Sequence, residues 1–368
     1  MAQYTFFQHR LCEYFPCHQG IAADQFNCLF CYCPFYLSEK KCPGNPVYLP
    51  TGQKDCSSCN FPHSKENYYT IISKINKITK ELTEMLDIRL AAIDLDHTLL
   101  KEFDHIEDRV AAIFPKLKEC GCITIIATAR SLCEAYAFVK LLQPDYLICD
   151  NGARTYNLKN GNFELIHATP IPRDAKNYIL DKLEKYDNIN FLLHLGNCLY
   201  YTMKYADVDG PHNTELNAER ILKEHHDWPG FQIKKINNVS ELPRDEEIYR
   251  IYFDVFGDVQ ALTKEFDSIE EKFPGVKFLS SYQGTFEFGA TDKAKALSEL
   301  NKELQIPIEC ILAVGDSIAD KPMIEYAGIG VAVENAIDEV KAIADYICPS
   351  VFEEGVVQFL EQHLFKRV

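Results

Sequence analysis

Acidic side chains follow two apolar segments of this sequence, at spacings that suit phosphate chemistry. The segment RLAAI is followed by Asp94 and Asp96, and the segment ECILAVG by Asp316 and Asp320. In a reaction at phosphorus, one carboxylate can attack and form an aspartyl-phosphate, which divides a difficult hydrolysis into two steps. A second carboxylate two residues on can protonate the leaving oxygen and later deprotonate water. The pattern therefore predicts a reaction on a phosphate ester.

Acids that meet an anionic substrate need positive charge beside them. Mg²⁺ fits this requirement because it prefers oxygen ligands and binds carboxylates together with phosphate. Lys293, at the start of the helical stretch KAKALSELNKEL, would neutralise the remaining charge, with Lys295 as its rival. Thr128, just past the segment CITIIA, could donate its hydroxyl hydrogen to a phosphoryl oxygen. Arg130 lies two residues after Thr128, and we assign it no role in the reaction.

Five apolar runs without alternation must position these side chains, and helical patterns separate most of them. Such runs predict a parallel sheet covered on both faces, in which ligands bind beyond the carboxyl ends of the strands. Residues 154–288 instead mix apolar and polar positions, as strands of a half-solvated sheet do. We therefore expect an α/β, doubly wound core with an inserted α+β domain.

The chain divides into four predicted parts. Residues 1–64 form a Cys-rich module, and 65–88 form a connecting helix whose apolar positions run from 68 to 86, with Ser64 as its cap. Residues 89–153 and 289–368 form the core, and 154–288 form the inserted cap. The 368 residues are 47% hydrophobic, which is ample for such cores.

Eight of the fifteen cysteines lie in the first 59 residues. The cluster includes two C-x2-C pairs, the usual knuckle for tetrahedral Zn²⁺, and comprises Cys12, Cys17, Cys28, Cys31, Cys33, Cys42, Cys56 and Cys59. Together with three nearby histidines, these cysteines could complete two metal sites of four ligands each, or one such site with the remaining side chains unused. An odd cysteine total without a secretory leader predicts a reducing cytoplasm and hence a metal site. Structural zinc is favoured, and an iron–sulfur cluster is the alternative.

The distribution of charge argues against two classes of binding partner. The formal net charge of −16 falls on residues 89–368, which contain 30 Lys/Arg and 46 Asp/Glu, whereas residues 1–88 contain 8 of each. This balance argues against nucleic acid and anionic membranes as partners. A protein partner of the Cys-rich module remains open.

The motifs DLDHTLL, TAR, a single Lys before an ALxxL helix, and GDSIAD resemble, in order, the four motifs of the haloacid dehalogenase superfamily of phosphohydrolases. The details are most similar to the Cof-type branch, which carries a large C2-type cap after the third strand. The resemblance covers about residues 88–368. It implies Asp94 as nucleophile and Asp96 as acid/base, with phosphate held by Thr128 and Lys293. It also implies Mg²⁺ ligation by Asp94, the Asp96 carbonyl and Asp316, with Asp320 orienting Lys293 or a metal-bound water.

Two positions depart from that branch, which usually has Gly at the position of His97 and Asn at that of Ala319. Asn151, in the turn at the cap entrance, is a candidate substrate contact. The segment FNCLFCYCPFY resembles a small family of Cys-rich presumed metal-binding domains.

These observations predict a Mg²⁺-dependent phosphomonoesterase acting on a small phosphorylated metabolite, with an N-terminal zinc module. A phosphosugar mutase of the same fold is one alternative. A non-catalytic scaffold, with the Cys-rich module recruiting a partner, is the other.

Overall fold

The computed structural model of the chain describes residues 5–36, 42–51, 53–83, 85–101, 105–195, 198–202, 232–282 and 284–365. It separates into two compact units. The N-terminal unit comprises Met1–Met85 and the C-terminal unit comprises Leu86–Val368. No helix in the described ranges is long and apolar enough to cross a membrane.

The N-terminal unit has little regular structure before its helix. Two short antiparallel strands, β1 (Val47–Tyr48) and β2 (Lys54–Asp55), are followed by 3₁₀ turns at Phe61–His63 and Lys65–Asn67. Loops are held by local bonds such as that from the Asn27 amide to the Thr5 carbonyl, at 3.0 Å. This is the pattern expected of a segment that cannot build a large aliphatic core.

Helix α1 (Tyr68–Thr83) belongs to the N-terminal unit, where the expectation was a separate connector over 65–88. Its first residue stacks on Phe30, with 5.9 Å between the rings, which ties it to the Cys-rich loops. The predicted cap at Ser64 is wrong, because a 3₁₀ turn follows Ser64 and its side chain makes no capping hydrogen bond. The side chains of 76–83, including predicted apolar positions 78 and 82, lie outside the described residues.

The C-terminal unit is built on an eight-stranded sheet in the order β16-β15-β14-β3-β4-β5-β6-β7. Its strands are β3 (Leu90–Ile93), β4 (Ile123–Ala127), β5 (Tyr146–Cys149), β6 (Arg154–Asn157), β7 (Glu164–Ala168), β14 (Ile311–Gly315), β15 (Ile329–Val333) and β16 (Tyr346–Cys348). All pairs from β16 to β5 are parallel. The central strand β3 is fully buried, as expected when helices cover both faces.

Strands β6 and β7 were expected in the cap, yet they belong to this sheet. The chain turns at Asp150–Gly152 and returns antiparallel to β5, so that Tyr146 pairs with Asn157. The cap boundary predicted at residue 154 is therefore wrong, because a hairpin continues the sheet through residue 168 before the chain leaves it. Mixed apolar and polar positions are typical of such an antiparallel edge as well as of a cap.

Helices alternate with the strands and cover the sheet. They are α2 (Asp108–Ala111), α3 (Ile113–Glu119), α4 (Leu132–Leu142), α8 (Lys293–Leu304), α9 (Lys321–Tyr326), α10 (Asp338–Lys341) and α11 (Gly355–His363). Helix α4 begins with a capping box between Ser131 and Glu134, which fixes the chain directly after the second motif.

The cap is a second sheet with the order β10-β9-β8-β11-β13-β12. Its strands are β8 (Ile189–Leu195), β9 (Cys198–Tyr201), β10 (Gln232–Lys235), β11 (Arg250–Val255), β12 (Lys277–Tyr282) and β13 (Thr285–Gly289), and its helices are α5 (Arg173–Leu183), α6 (Gln260–Phe266) and α7 (Ile269–Lys272). Phe253, Phe266 and Phe288 are almost wholly buried in its own hydrophobic core. The expected α/β architecture with an inserted α+β domain is confirmed.

Candidate active site

The carboxyl ends of β3 and β14 bring three predicted acids together. Carboxylate oxygens of Asp94, Asp316 and Asp320 lie within 4.8 Å of one another. Asp94 follows β3, Asp316 follows β14, and the two strands are parallel neighbours, so their ends meet at one sheet edge. Asp94 and Asp320 are buried, which keeps bulk water from screening their charges.

Lys293 provides the positive charge at this cluster. Its ammonium donates hydrogen bonds to Oδ1 of Asp94 at 2.6 Å and to Oδ1 of Asp320 at 2.5 Å. Only 1% of its side chain is exposed. Its rival Lys295 lies two positions further on α8 and offers its backbone N–H to Asp292, which caps the helix. The structure therefore brings Lys293 to the acids and does not bring Lys295.

Asp320 is already saturated with hydrogen bonds. Its Oδ2 accepts from the N–H of Asp316 at 3.2 Å and from the N–H and hydroxyl of Ser317 at 2.9 and 2.8 Å. Its Oδ1 accepts from Lys293. Asp320 therefore holds the loop after β14 and the ammonium of Lys293 in place. The carboxylates of Asp94 and Asp316 accept fewer hydrogen bonds within the described residues, so they are better placed to bind a cation.

Electrostatics in the cluster favour an added cation. Burial, together with the charge of Asp320, raises the pKa of Asp94 and of Asp316. Burial lowers the pKa of Lys293, but the charges of Asp320 and Asp94 outweigh it and raise that pKa overall. The acids thus repel one another more than one ammonium compensates. A donor set of buried carboxylate oxygens fits a hard divalent cation such as Mg²⁺.

The Asp96 side chain is paired with Arg130. Its carboxylate accepts a forked pair of hydrogen bonds from Arg130, with Nη2 to Oδ1 at 2.6 Å and Nε to Oδ2 at 2.9 Å. The guanidinium also lies over the ring of Phe138, 4.8 Å from its centre. The predicted Mg²⁺ contact of Asp96 uses its backbone carbonyl and stays a prediction. Sequence reasoning missed Arg130, although its position two residues after Thr128 puts it at the same sheet edge.

Two threonines lie at the site. Thr128 is fully buried after β4 and its hydroxyl accepts the N–H of Arg130 at 3.1 Å. Thr98 was not predicted; its hydroxyl donates to Oδ1 of Asp316 at 3.2 Å. His97 adopts a left-handed backbone conformation with φ of 57°, which explains why Gly is favoured at that position in the related branch.

The cap reaches the site through a buried polar network. Asn151 donates from Nδ2 to Glu287 of β13 at 3.0 Å, and Glu287 is paired with Arg250 of β11. Arg250 in turn donates from Nη1 to the carbonyl of Ala129 at 2.7 Å. Asn151 thus joins the core to the cap, and within the described residues its Oδ1 has no hydrogen-bond partner. Its role as a substrate contact stays a prediction.

The turn that carries Asn151 approaches α8 very closely. A Cβ atom on Gly152 would lie 2.2 Å from the carbonyl oxygen of Asp292, and Gly152 has a φ of 97°. A side chain at this position would push against the residue preceding Lys293. The glycine of the DNG turn is therefore needed for the site to assemble.

In the N-terminal unit all eight predicted zinc ligands are free thiols. Cys17 lies closest to imidazoles: its sulfur and ring nitrogens of His18 and His63 are within 4.8 Å of one another. Thiolate and imidazole donors fit Zn²⁺, in contrast to the carboxylates of the C-terminal unit.

Two family models match the chain. The model of the haloacid dehalogenase-like hydrolases matches residues 91–360, and the model of a cysteine-rich small domain matches residues 3–85. The first range contains the carboxylate cluster and the cap, and the second contains all eight clustered cysteines.

Curated and solved relatives match the C-terminal part of the chain. The 5-amino-6-(5-phospho-D-ribitylamino)uracil phosphatase YcsE of Bacillus subtilis is 29% identical, over 75% of this chain and 95% of its own length. Phosphatase YwpJ of the same organism is 28% identical, over 75% and 100%. A crystal structure of a haloacid dehalogenase-like hydrolase from B. subtilis superposes with a TM-score of 0.60 at 25% identity, covering 75% of this chain and all of that one.

Proposed function

Because the chain belongs to the haloacid dehalogenase-like hydrolase family, we propose that it hydrolyses phosphomonoesters of small metabolites through an aspartyl-phosphate on Asp94. The contact between Lys293 and Asp94, inside a cluster of three buried acids, is the observation that supports this most directly. An ammonium at this distance holds one carboxylate oxygen in place and leaves the other to face a phosphorus atom.

The proposed reaction has two halves. An oxygen of Asp94 bonds to phosphorus while the bond to the leaving oxygen breaks and that oxygen takes a proton from Asp96. Water then attacks phosphorus, gives a proton to Asp96 and releases phosphate, which restores the Asp94 carboxylate. Thr128 and Lys293 would donate to the phosphoryl oxygens, where negative charge accumulates.

Mg²⁺ bound by the carboxylates of Asp94 and Asp316 would supply positive charge to the phosphoryl group. The Thr98 hydroxyl would keep Asp316 turned toward that position, and Asp320 would hold Lys293. These assignments use oxygen donors alone, as Mg²⁺ prefers.

Asp96 must exchange partners to act as acid and base. A carboxylate paired with a guanidinium is held as the anion, so proton donation requires Asp96 to turn from Arg130 toward the leaving group. Arg130 would then hold the Asp96 side chain beside the site until Asp96 turns toward the leaving group. This role rests on the forked pairing and on the partial exposure of the Asp96 side chain, which is 27% exposed.

Substrate choice would come from the cap. The relatives YcsE and YwpJ are named phosphatases, and YcsE is named for a phosphorylated ribitylaminouracil. We propose a small phosphorylated metabolite as the substrate class. We also propose that the N-terminal unit binds zinc as a structural metal, with the protein in the reducing cytoplasm, where its thiols stay free.

The test compares wild type with Asp94→Asn on an aryl phosphate and on a panel of phosphorylated metabolites, with Mg²⁺ titrated after chelation. We expect Mg²⁺-dependent phosphate release, a phosphoprotein trapped by acid quenching, and at least about 10²-fold loss of turnover in the variant. Asp245→Asn is the control, since this acid is 94% exposed on the cap. Retention of more than about a hundredth of the turnover in Asp94→Asn would reject the nucleophile. Transfer of phosphate to a sugar instead of water would identify a mutase.

A further inference from the structure

The eight cysteines of the N-terminal unit fall into two groups that follow chain order. We propose that Cys12, Cys17, Cys28 and Cys31 bind one metal ion and that Cys33, Cys42, Cys56 and Cys59 bind a second, with zinc as the ion at each four-thiolate site. This inference rests on the metal-binding role proposed above and adds the number of ions, the ligand sets and the part played by the histidines.

The first group lines one cavity. A space of about 280 Å³ is bordered by four thiols and by aromatic rings, namely Phe7, His9, Cys12, Phe15, Cys17, Phe26, Cys28 and Cys31. Backbone bonds hold its walls in place: the N–H of Cys28 donates to the carbonyl of Phe7 at 2.7 Å, and the N–H of Cys12 to that of His9 at 2.9 Å. These bonds bring the loop with Cys12 against the turn with Cys28.

Three members of the second group line another cavity. A space of about 300 Å³ is bordered by Cys33, Cys56 and Cys59, and also by Cys31, His18 and His63. The turn at Cys56 closes with a bond from the Cys59 N–H to the Cys56 carbonyl at 3.0 Å. Lys54 donates to the carbonyl of Phe35 at 2.7 Å, which joins this turn to the loop after Cys33.

The backbone that follows Cys42 places this residue in the second group. A Cβ atom on Gly44 would lie 2.6 Å from the sulfur of Cys59, so only glycine lets this backbone approach the thiol. Only Pro43 lies between Gly44 and Cys42. This close approach places the loop that carries Cys42 at the second turn.

Each group contains one C-x2-C turn and two further cysteines, which is the donor set of a closed tetrahedral site. Eight thiols fill two such sites and leave none unused. The boundary between the two groups falls between Cys31 and Cys33. Only Tyr32 separates these two cysteines, yet they bind different ions in this assignment.

The histidines are assigned to support and not to ligation. His63 is 2% exposed, stacks on Phe26 with 4.8 Å between ring centres, and has Nδ1 3.3 Å from the carbonyl of Asn27. The Nδ1–H of His63 can donate a hydrogen bond to that carbonyl. A ring nitrogen of His63 and one of His18 lie within 4.8 Å of the Cys17 sulfur, so both imidazoles can form hydrogen bonds to that thiolate.

The experiment is ¹¹³Cd substitution of the full-length protein, followed by ¹¹³Cd–¹H correlation with selectively labelled cysteine. Coupling from each cadmium to the β-hydrogens of its own ligands reads the sets directly in the wild-type protein. We expect two cadmium resonances at positions typical of four-sulfur ligation, each coupled to four cysteines. Single Cys→Ser variants assign the cross-peaks, and Cys122→Ser, a buried thiol of the C-terminal unit, is the control that should move neither resonance.

The outcomes separate the possible failures. A cadmium coupled to cysteines from both groups, or a single bound ion, overturns the division while leaving metal binding intact. A resonance that shifts in His63→Gln toward fewer sulfur and nitrogen donors overturns the assignment of His63. Absence of any thiolate-bound cadmium rejects the proposed metal-binding role itself. The wild-type spectrum decides between these results even if a Cys→Ser variant fails to fold.

Discussion

The two units of this chain bury very different side chains. Among described residues before position 65, the buried hydrophobic side chains are Phe26, Phe35 and Cys59, whereas the sheet of the C-terminal unit is buried in Leu, Ile, Val and Ala. Apolar burial contributes roughly 25 cal/mol per Å², so the second unit can order itself and the first cannot do so to the same extent. This difference is the physical reason for proposing a structural metal in the first unit and a catalytic metal in the second.

Chelation should give the largest effect that separates the units. Zinc contributes on the order of 10 kcal/mol to the folding of comparable small modules, so its removal should unfold residues 5–64. Removal of Mg²⁺ should leave the C-terminal unit folded, because its core does not depend on the ion. Hydrogen exchange of the full chain measures both: peptides before position 65 should lose protection, and those of β3, β4 and β14 should keep it. Equal protection in both units would contradict this distinction.

Lys293→Met should give the next effect, confined to the C-terminal unit. Loss of the ammonium leaves the buried carboxylates of Asp94 and Asp320 without their positively charged partner, which costs about 3–5 kcal/mol of unfolding free energy in metal-free protein. Turnover should fall about 10²–10³-fold, since charge on phosphate is no longer neutralised. Urea unfolding and steady-state kinetics measure the two losses.

Lys295→Met is the matched control on the same helix and should leave turnover within about twofold, since surface changes of this kind usually cost under 0.5 kcal/mol. Comparable losses in both variants would show that α8, and not the ammonium of Lys293, carries the effect.

Arg250→Lys should produce a smaller change, limited to the contact between cap and core. Lysine keeps the charge but lacks the fork that reaches both Glu287 and the Ala129 carbonyl. We expect kcat/KM to fall about tenfold, which corresponds to about 1.4 kcal/mol, with unfolding of the core unchanged. Arg173→Lys, an exposed arginine of the cap, should have no effect. A fall in stability without a change in kcat/KM would make the contact merely structural.

Much of the C-terminal unit could be predicted because its signals are local. An apolar run of about five residues followed by a polar side chain marks a buried strand and its carboxyl end, and this rule placed Asp94, Asp316 and Thr128 at one edge. The hairpin β6–β7 could not be placed, because alternating strands look the same in a core edge and in a cap. Arg130 was missed for a related reason: its partner Asp96 lies 34 positions away.

The sequence by itself determined the parallel sheet, the acids at its edge and the existence of a thiol-rich region, since each depends on residue type and short spacing. Tertiary structure decided which lysine meets the acids, that Asp96 pairs with Arg130, and that Asn151 joins Glu287 of the cap. These are contacts between side chains from distant segments, and only the folded backbone sets the distances on which hydrogen bonds, ion pairs and metal sites depend.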